Sequence, residues 1–265
     1  VDHMIFHPSP EILPALPETT IVLVDDETTT GQTFSELAAA LWRQGLRPAH
    51  VILATLTDWS NGQSTDLIAK IFPKAKVTAV SLLAGSYTWQ PTDEMPPRAW
   101  PAACAPACPS WVPPQHGKSG VPRIGLSAAA HRVDRQAWSN FVDSALMGRI
   151  PPAARVLVIG TGEHVWLPFL AAEQMAQAGY KTQFVATTRS PVVPGPVIRN
   201  QMVFPDHYGI GFPMYLNTVR AEDWDEIIVV TETNSDGIPE DLRAGLGQGW
   251  IVAADGISRF DSNGS

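Results

Sequence analysis

Cysteine is scarce in this chain, two in 265 residues, which excludes the disulfide framework that staples small secreted domains. No charged-then-apolar leader and no apolar run of membrane length is read in the sequence, so a cytoplasmic location and no membrane partner are expected. Charge is sparse as well, at 17% of residues, and Asp and Glu outnumber Lys and Arg by 26 to 18 for a formal charge of −8. With no basic cluster to track a phosphate backbone, long nucleic acid is a poor partner, whereas small anions can still be held by local backbone donors. Hydrophobic residues make up 45% of the chain, enough for one large domain or two ordinary ones. The first residue is Val1 and not Met, so the expectation is that these residues are a piece of a longer polypeptide.

What is present is organised as two α/β stretches around a Pro- and Trp-rich middle. From Thr20 to Leu56 the text reads strand, turn, helix, strand: IVLVDD, TFSELAAALWRQG, HVILATL. Phe34, Leu37, Ala38, Leu41 and Trp42 recur at helical spacing, Gly45 suits a helix C-terminus, and both flanking strands are continuously apolar, as buried parallel strands are. Asp66 to Phe72 and Val77 to Leu83 add a further helix and strand. Tyr87 to Pro122 has no period and reads as a linker or extended arm. The second α/β pattern then follows: SAAAHRVDRQAWSNFVDSALMGRI as helix, RVLVIG as strand, His164 to Ala178 as a helix closed by Gly179, QFVATT as strand, and EIIVVTE and GWIVAA as two more. The expected division is 1–98, a linker at 99–120, and 121–265.

The stretch IVLVDDETTTGQT, Ile21 to Thr33, is the most informative. It predicts a central strand ending at Asp25 and Asp26 and a helix beginning near Gly31 to Thr33, so the turn sits at the carboxyl end of the sheet, where open α/β folds bind ligands. Backbone N–H groups at a helix start favour a phosphate, and Thr28, Thr29, Thr30 and Thr33 can add hydroxyls. Carboxylates would repel that phosphate, so their presence suggests a ligand with its phosphate on one side and vicinal hydroxyls or a metal ion on the other, as in a ribose 5-phosphate. Asp and Thr are also favoured in a merely capped, solvated turn, and that alternative stays open here.

Taken whole, the 13 residues resemble the phosphoribosyl-pyrophosphate signature of type I phosphoribosyltransferases. The resemblance implies a Rossmann-like parallel sheet, with Asp25 and Asp26 on the ribose hydroxyls and Glu27, Thr28, Thr29, Thr30, Gly31, Gln32 and Thr33 wrapping the 5-phosphate. It implies phosphoribosyl pyrophosphate as co-substrate with Mg2+, transfer of ribosyl phosphate to a nitrogen nucleophile through an oxocarbenium-like transition state, and a homodimer. Such enzymes carry a hood, a pyrophosphate loop and a flexible catalytic loop upstream of the signature, and only about 20 residues precede it here, so a partial domain is expected, continued upstream. Thr57-Asp58-Trp59, after the second strand, could face a base or be surface loop.

In the second half, VLVIGTGEHVWLPFL sets Gly160, Thr161, Gly162 and Glu163 between a strand and a helix. A Gly-x-Gly turn allows close backbone approach and leaves the helix start open to an anion. It is similar to the glycine turn of enzymes that bind S-adenosylmethionine, but lacks the acidic residue before the first glycine; a plain tight turn with Glu163 near the helix dipole is the alternative. The next strand runs into Thr187, Thr188, Arg189, Ser190 and Pro191, whose hydroxyls and guanidinium suit carboxylate or phosphate. The segment RNQMVFPDHYGIGFPMYLNT supplies Arg199, Asn200, Asp206, His207 and Tyr208 in what reads as a polar loop. Thr188-Arg189-Ser190-Pro191, with GTGE, FPDHYG and VVTET, resembles the TRSP domain found behind an unusual phosphoribosyltransferase domain in tellurite-resistance-associated operons. That resemblance spans roughly Val121 to Asn234 and implies synthesis of a nucleoside-like small molecule.

Cys104, Cys108 and His116 make half a zinc site, and His131 could complete one only if its helix folded back, so no metal site is assigned. His207 could be a general base or a hydrogen-bonded loop histidine. Asp255 and Asp261 read as solvated turn residues. The expectation is therefore a partial type I phosphoribosyltransferase followed by a second α/β domain that binds or processes the product, with Arg189 and Ser190 on an anionic or polar group. A non-catalytic phosphoribosyl or nucleotide sensor, and an S-adenosylmethionine-dependent enzyme built on the GTGE turn, are the competing readings.

Overall fold

The computed structural model describes residues 19–88, 90, 128–190, 192, 194–209 and 211–261. The Pro- and Trp-rich middle beyond residue 90, with Cys104, Cys108 and His116, lies outside the described residues. The chain divides into two units, Val1–Met95 and Pro96–Ser265, both mixed α/β with parallel strands.

In the first unit, β1 (Thr20–Val24), β3 (His50–Asp58) and β4 (Lys76–Ala84) run parallel, with β3 between the other two. The sequence predicted a central strand ending at Asp25 and Asp26; among the described residues β1 pairs with β3 alone, and the pairing resumes after the aspartates as β2 (Glu27–Thr28) against Thr57 and Asp58. β1 and β2 form one file along β3 with a bend at the two carboxylates. There the Asp25 N–H donates to the Ala54 carbonyl at 3.0 Å, and the Asp26 carbonyl accepts from both Leu56 and Thr57. Two helices, α1 (Gln32–Arg43) and α2 (Gln63–Ile71), supply the cover. Phe34, Ala38, Ile68 and Phe72 pack with Leu23, Val51 and Leu53 into one core. Gly45, at φ 94°, lets Leu46 N–H return to the Leu41 carbonyl, which closes α1 as the sequence indicated.

The second unit is built on a sheet in the order β11-β10-β9-β5-β6. β5 (Arg155–Gly160), β6 (Lys181–Ala186), β9 (Glu226–Val230) and β10 (Gln248–Ala253) are parallel, and β11 (Gly256–Asp261) folds back antiparallel. Asp261 is thus a strand residue opposite Gln248 and not a turn residue, while the Asp255 carboxylate accepts from the Ser235 N–H and hydroxyl. Alternation divides the strands between two cores. Leu157, Ile159, Ile227 and Val229 face α5 (Glu240–Leu246) and the hairpin; Val156, Val158, Ile228 and Val230 face α4 (Trp166–Gln177) and the turns after α3 (Ala128–Phe141). That hairpin, β7 (Gln201–Pro205) with β8 (Pro213–Asn217), occupies the stretch read from sequence as a loop. Pro205 pairs with Pro213 at its end, where a proline costs no interior ladder bond.

Candidate functional sites

The Asp25–Asp26 bend, the turn and the start of α1 lie together at the carboxyl edge of the first sheet. Asp25 is half-buried and its Oδ1 accepts from the Asp26 N–H at 3.0 Å, whereas Asp26 and Glu27 are exposed. Thr28 is buried, and its hydroxyl is 3.0 Å from that of Ser64 at the start of α2. Thr29, Thr30, Gln32 and Thr33 are exposed, and the Thr30 hydroxyl accepts from the Gln32 N–H. Gly31 makes this turn possible. Its φ is 75°, and a Cβ there would stand 2.7 Å from Ser64 Cα, so α1 and α2 start in backbone contact only because no side chain intervenes. Asp58 Oδ1 accepts from the Ser60 N–H, and Trp59 is half-buried, edge-on to Tyr87 with centroids 6.4 Å apart. A cleft of about 410 Å3 among Trp42, Arg47, Phe72 and Lys74 opens at the amino ends of β3 and β4, away from the carboxylates.

Carboxylates at a strand bend, exposed threonine hydroxyls and a helix start can receive a polyol on one side and a phosphate on the other. Hard carboxylate oxygens fit Mg2+, which ordinarily takes one or two of them and leaves the rest of its shell to substrate phosphates and water. Among the described residues no cluster of three or more His, Cys, Asp or Glu is gathered around a metal position.

In the second unit the polar residues converge where the strand order reverses. β5 leads to β6 on one side and the chain then returns to β9 on the other, so the switch point lies between the carboxyl ends of β5 and β9. Across that gap the buried Thr161 hydroxyl donates to Thr231 at 3.1 Å, and Thr231 is 2.9 Å from Thr233. From the β6 side, Thr187 Oγ1 accepts from Gly162 N–H at 2.8 Å. Gly162 has φ 57°, and a Cβ on it would be 3.1 Å from the His207 ring. His207 and His164 are both buried, 3% and 4% exposed. The His207 ring lies 3.9 Å from that of Tyr208, whose hydroxyl donates to Glu232 Oε1.

Asp206 is only 1% exposed, and its carboxylate accepts from the N–H groups of Tyr208, Gly211 and Phe212, which folds the hairpin loop so that His207 and Tyr208 reach the switch point. Of the string after β6, Thr188 bridges to Tyr215, Arg189 stacks on Phe212 at 4.2 Å, Ser190 is exposed, and Glu163 is exposed as well. His131 accepts from the Trp166 indole at 3.2 Å. Sequence reasoning left out His164, Thr231, Glu232 and Thr233; the signal was the run VVTET, whose threonines follow an apolar strand.

Residues 1–86 match the phosphoribosyl transferase family, and residues 121–244 match the TRSP domain, described as C-terminal to that transferase. The chain has the order of that fusion. The Asp25–Asp26 bend lies inside the transferase match, and the TRSP match takes in Gly160 to His164, the string at Thr188, the hairpin and Thr231 to Thr233. Neither a comparison with curated proteins nor one with solved structures returns a match. Among the described residues of the fusion, no helix is long and apolar enough to cross a membrane.

Proposed function

We propose that the transferase segment binds phosphoribosyl pyrophosphate with Mg2+ and transfers its ribosyl phosphate to a nitrogen nucleophile, in the synthesis of a nucleoside-like small molecule that the TRSP domain then binds or processes. The observation that carries this reading is the bend at Asp25 and Asp26 beside a hydroxyl-rich turn and a helix start, within a stretch that matches the family. Asp25 and Asp26 accept hydrogen bonds from the ribose 2′- and 3′-hydroxyls, and Thr29 to Thr33 receive the 5-phosphate at the start of α1. When bound, Mg2+ offsets the charge of the departing pyrophosphate. The C1–O bond to pyrophosphate breaks as the bond from C1 to the acceptor nitrogen forms, and the chain contributes by fixing the ribose and stabilising charge.

The test is Asp25→Asn combined with Asp26→Asn in the full chain. Mg2+-dependent binding of phosphoribosyl pyrophosphate, read by calorimetry, is expected to disappear while the circular dichroism spectrum stays that of the parent, because Asn at 25 keeps an oxygen to accept from the residue 26 N–H and the exposed Asp26 carboxylate adds little stability. Unchanged affinity would reduce the motif to a capped turn. Parental binding without pyrophosphate release, across a panel of nitrogen acceptors, would favour the sensor.

A further inference from the structure

We propose that the switch point between β5 and β9 in the second unit binds a ribosyl group through its vicinal hydroxyls, with Glu232 as the acceptor and the Thr161–Thr231–Thr233 chain as its hydrogen-bonding floor. The proposal rests on the preceding one only for the source of the ribosyl group, and its test makes no use of the transferase.

Three observations lead to this ligand class. First, the location is where doubly wound sheets open a crevice at the carboxyl ends of their strands, and here residues from both sides of the reversal touch directly through Thr161 and Thr231. Buried hydroxyls cost free energy unless paired, and this chain is paired across two strands, which fixes where each oxygen points. Second, the charge is of the wrong sign for a phosphate at the floor. Glu232 is the carboxylate held there, oriented by Tyr208, and the nearby guanidinium, Arg189, is exposed and stacked on Phe212. Arg243 and Arg155, elsewhere in the unit, pair with Glu240 and Asp225. A carboxylate has lone pairs for more than one donor and takes two neighbouring hydroxyls well, whereas it repels an anion.

Third, an aromatic shelf begins four residues beyond Gly162. Trp166 and Phe169, in the first turn of α4, stack with centroids 6.1 Å apart and are 38% and 41% exposed. Trp166 also stacks on His131 and Phe169 meets Phe184 edge-on, and the ring surface left exposed suits a planar base. Diol recognition at the floor and a ring surface at the helix start together describe a ribonucleoside, with or without a 5′-phosphate directed away from Glu232.

The experiment is calorimetry and saturation-transfer NMR on the full chain with adenosine, uridine, their 5′-monophosphates and the 2′-deoxy counterparts. At least one ribosyl ligand should bind saturably, its 2′-deoxy form at least tenfold more weakly. Glu232→Gln and Thr231→Val should each weaken it at least tenfold, and Asp25→Asn with Asp26→Asn should leave it unchanged. A preference between nucleoside and monophosphate identifies which the site takes. The proposal is overturned if none of these ligands binds, if the 2′-deoxy forms bind equally, if both switch-point variants bind as the parent does, or if the Asp25 and Asp26 changes abolish binding. Parental thermal unfolding of the second unit in Glu232→Gln and Thr231→Val shows that this unit is folded in both, and retained phosphoribosyl pyrophosphate binding, a property of the first unit, keeps the two proposals separate.

Discussion

The two larger sheets among the described residues are made of similar strands but finished differently. In the second unit successive residues of β5 and β9 enter two separate cores, so Leu157 and Val158, or Ile228 and Val229, are all fully buried. Among the described residues of the first unit only one face is packed. Leu23, Val51 and Leu53 lie under α1 and α2, while Val22, Val24, Leu56, Val80 and Leu82 on the other face are more than half exposed, Leu82 by 85%. Among the described residues no helix covers that face. Parallel strands ordinarily have both faces covered, so apolar sequence alone does not establish that a strand's two faces are both buried. It reports what the strand can bury, and the neighbouring elements decide what it does bury.

The largest effects should follow that difference. Ile159→Ala and Ile228→Ala, on opposite faces of the second sheet, should each destabilise their unit by about 2–5 kcal/mol, since both remove fully buried atoms and leave a cavity. In the first sheet Leu53→Ala should cost a similar amount, but Leu56→Ala, on the bare face, only within about 0.5 kcal/mol. Chemical denaturation with each unit's amides followed by NMR would separate the four values. A cost of several kcal/mol for Leu56→Ala would show that the outer face is covered in solution and would remove the contrast.

Both units use a positive-φ glycine in the turn between strand and helix, yet their surroundings differ. At Gly31 a Cβ meets the Ser64 backbone at 2.7 Å; at Gly162 it meets the His207 ring edge at 3.1 Å. A ring on a loop can yield by tenths of an ångström, and the start of a packed helix cannot do so cheaply. Gly31→Ala should therefore cost more than the about 1–3 kcal/mol expected from the left-handed backbone alone, and Gly162→Ala should stay within that range. Thermal unfolding of the two variants checks this ordering, and the reverse ordering would mean that the first turn is the more adaptable of the two.

Much of this was legible because it is local. Apolar runs gave β1, β3, β5 and β9, and Gly45 and Gly179 marked helix ends at φ 94° and 96°. The resumption of pairing at Glu27–Thr28 was hidden, because Glu and Thr beside two aspartates read as a turn until β3 offers them a partner. The hairpin was missed for a related reason. Pro205, Gly209, Gly211 and Pro213 are turn formers, and only the pairing of Met202 with Leu216 and Phe204 with Met214 makes strands of their neighbours. Strand β11, with exposed Ser258, Arg259 and Asp261, carries little apolar signal. Least legible was the switch point itself. Thr161 and Thr231 are far apart in the chain, and no spacing rule joins them; the reversal of strand order does.

The smallest expected effect concerns how the second sheet's first strand is held. Asp225, just before β9, accepts from the Arg155 backbone N–H and guanidinium at the start of β5, while its own N–H returns to the Arg155 carbonyl. The hydrogen bonds from Arg155, side chain before backbone, lower the Asp225 pKa from 3.8 to about 2. Since the folded value lies below the unfolded one, the contribution is complete above about pH 4 and is lost as pH falls through 2. Both side chains are 47% exposed, so water and salt screen the pair and the gain is small. Asp225→Asn should therefore flatten the acid limb of the second unit's stability between pH 4 and 2 and leave the first unit's limb untouched. If the second unit's limb kept its slope in the variant, the two strands would be held at this end by backbone bonding alone.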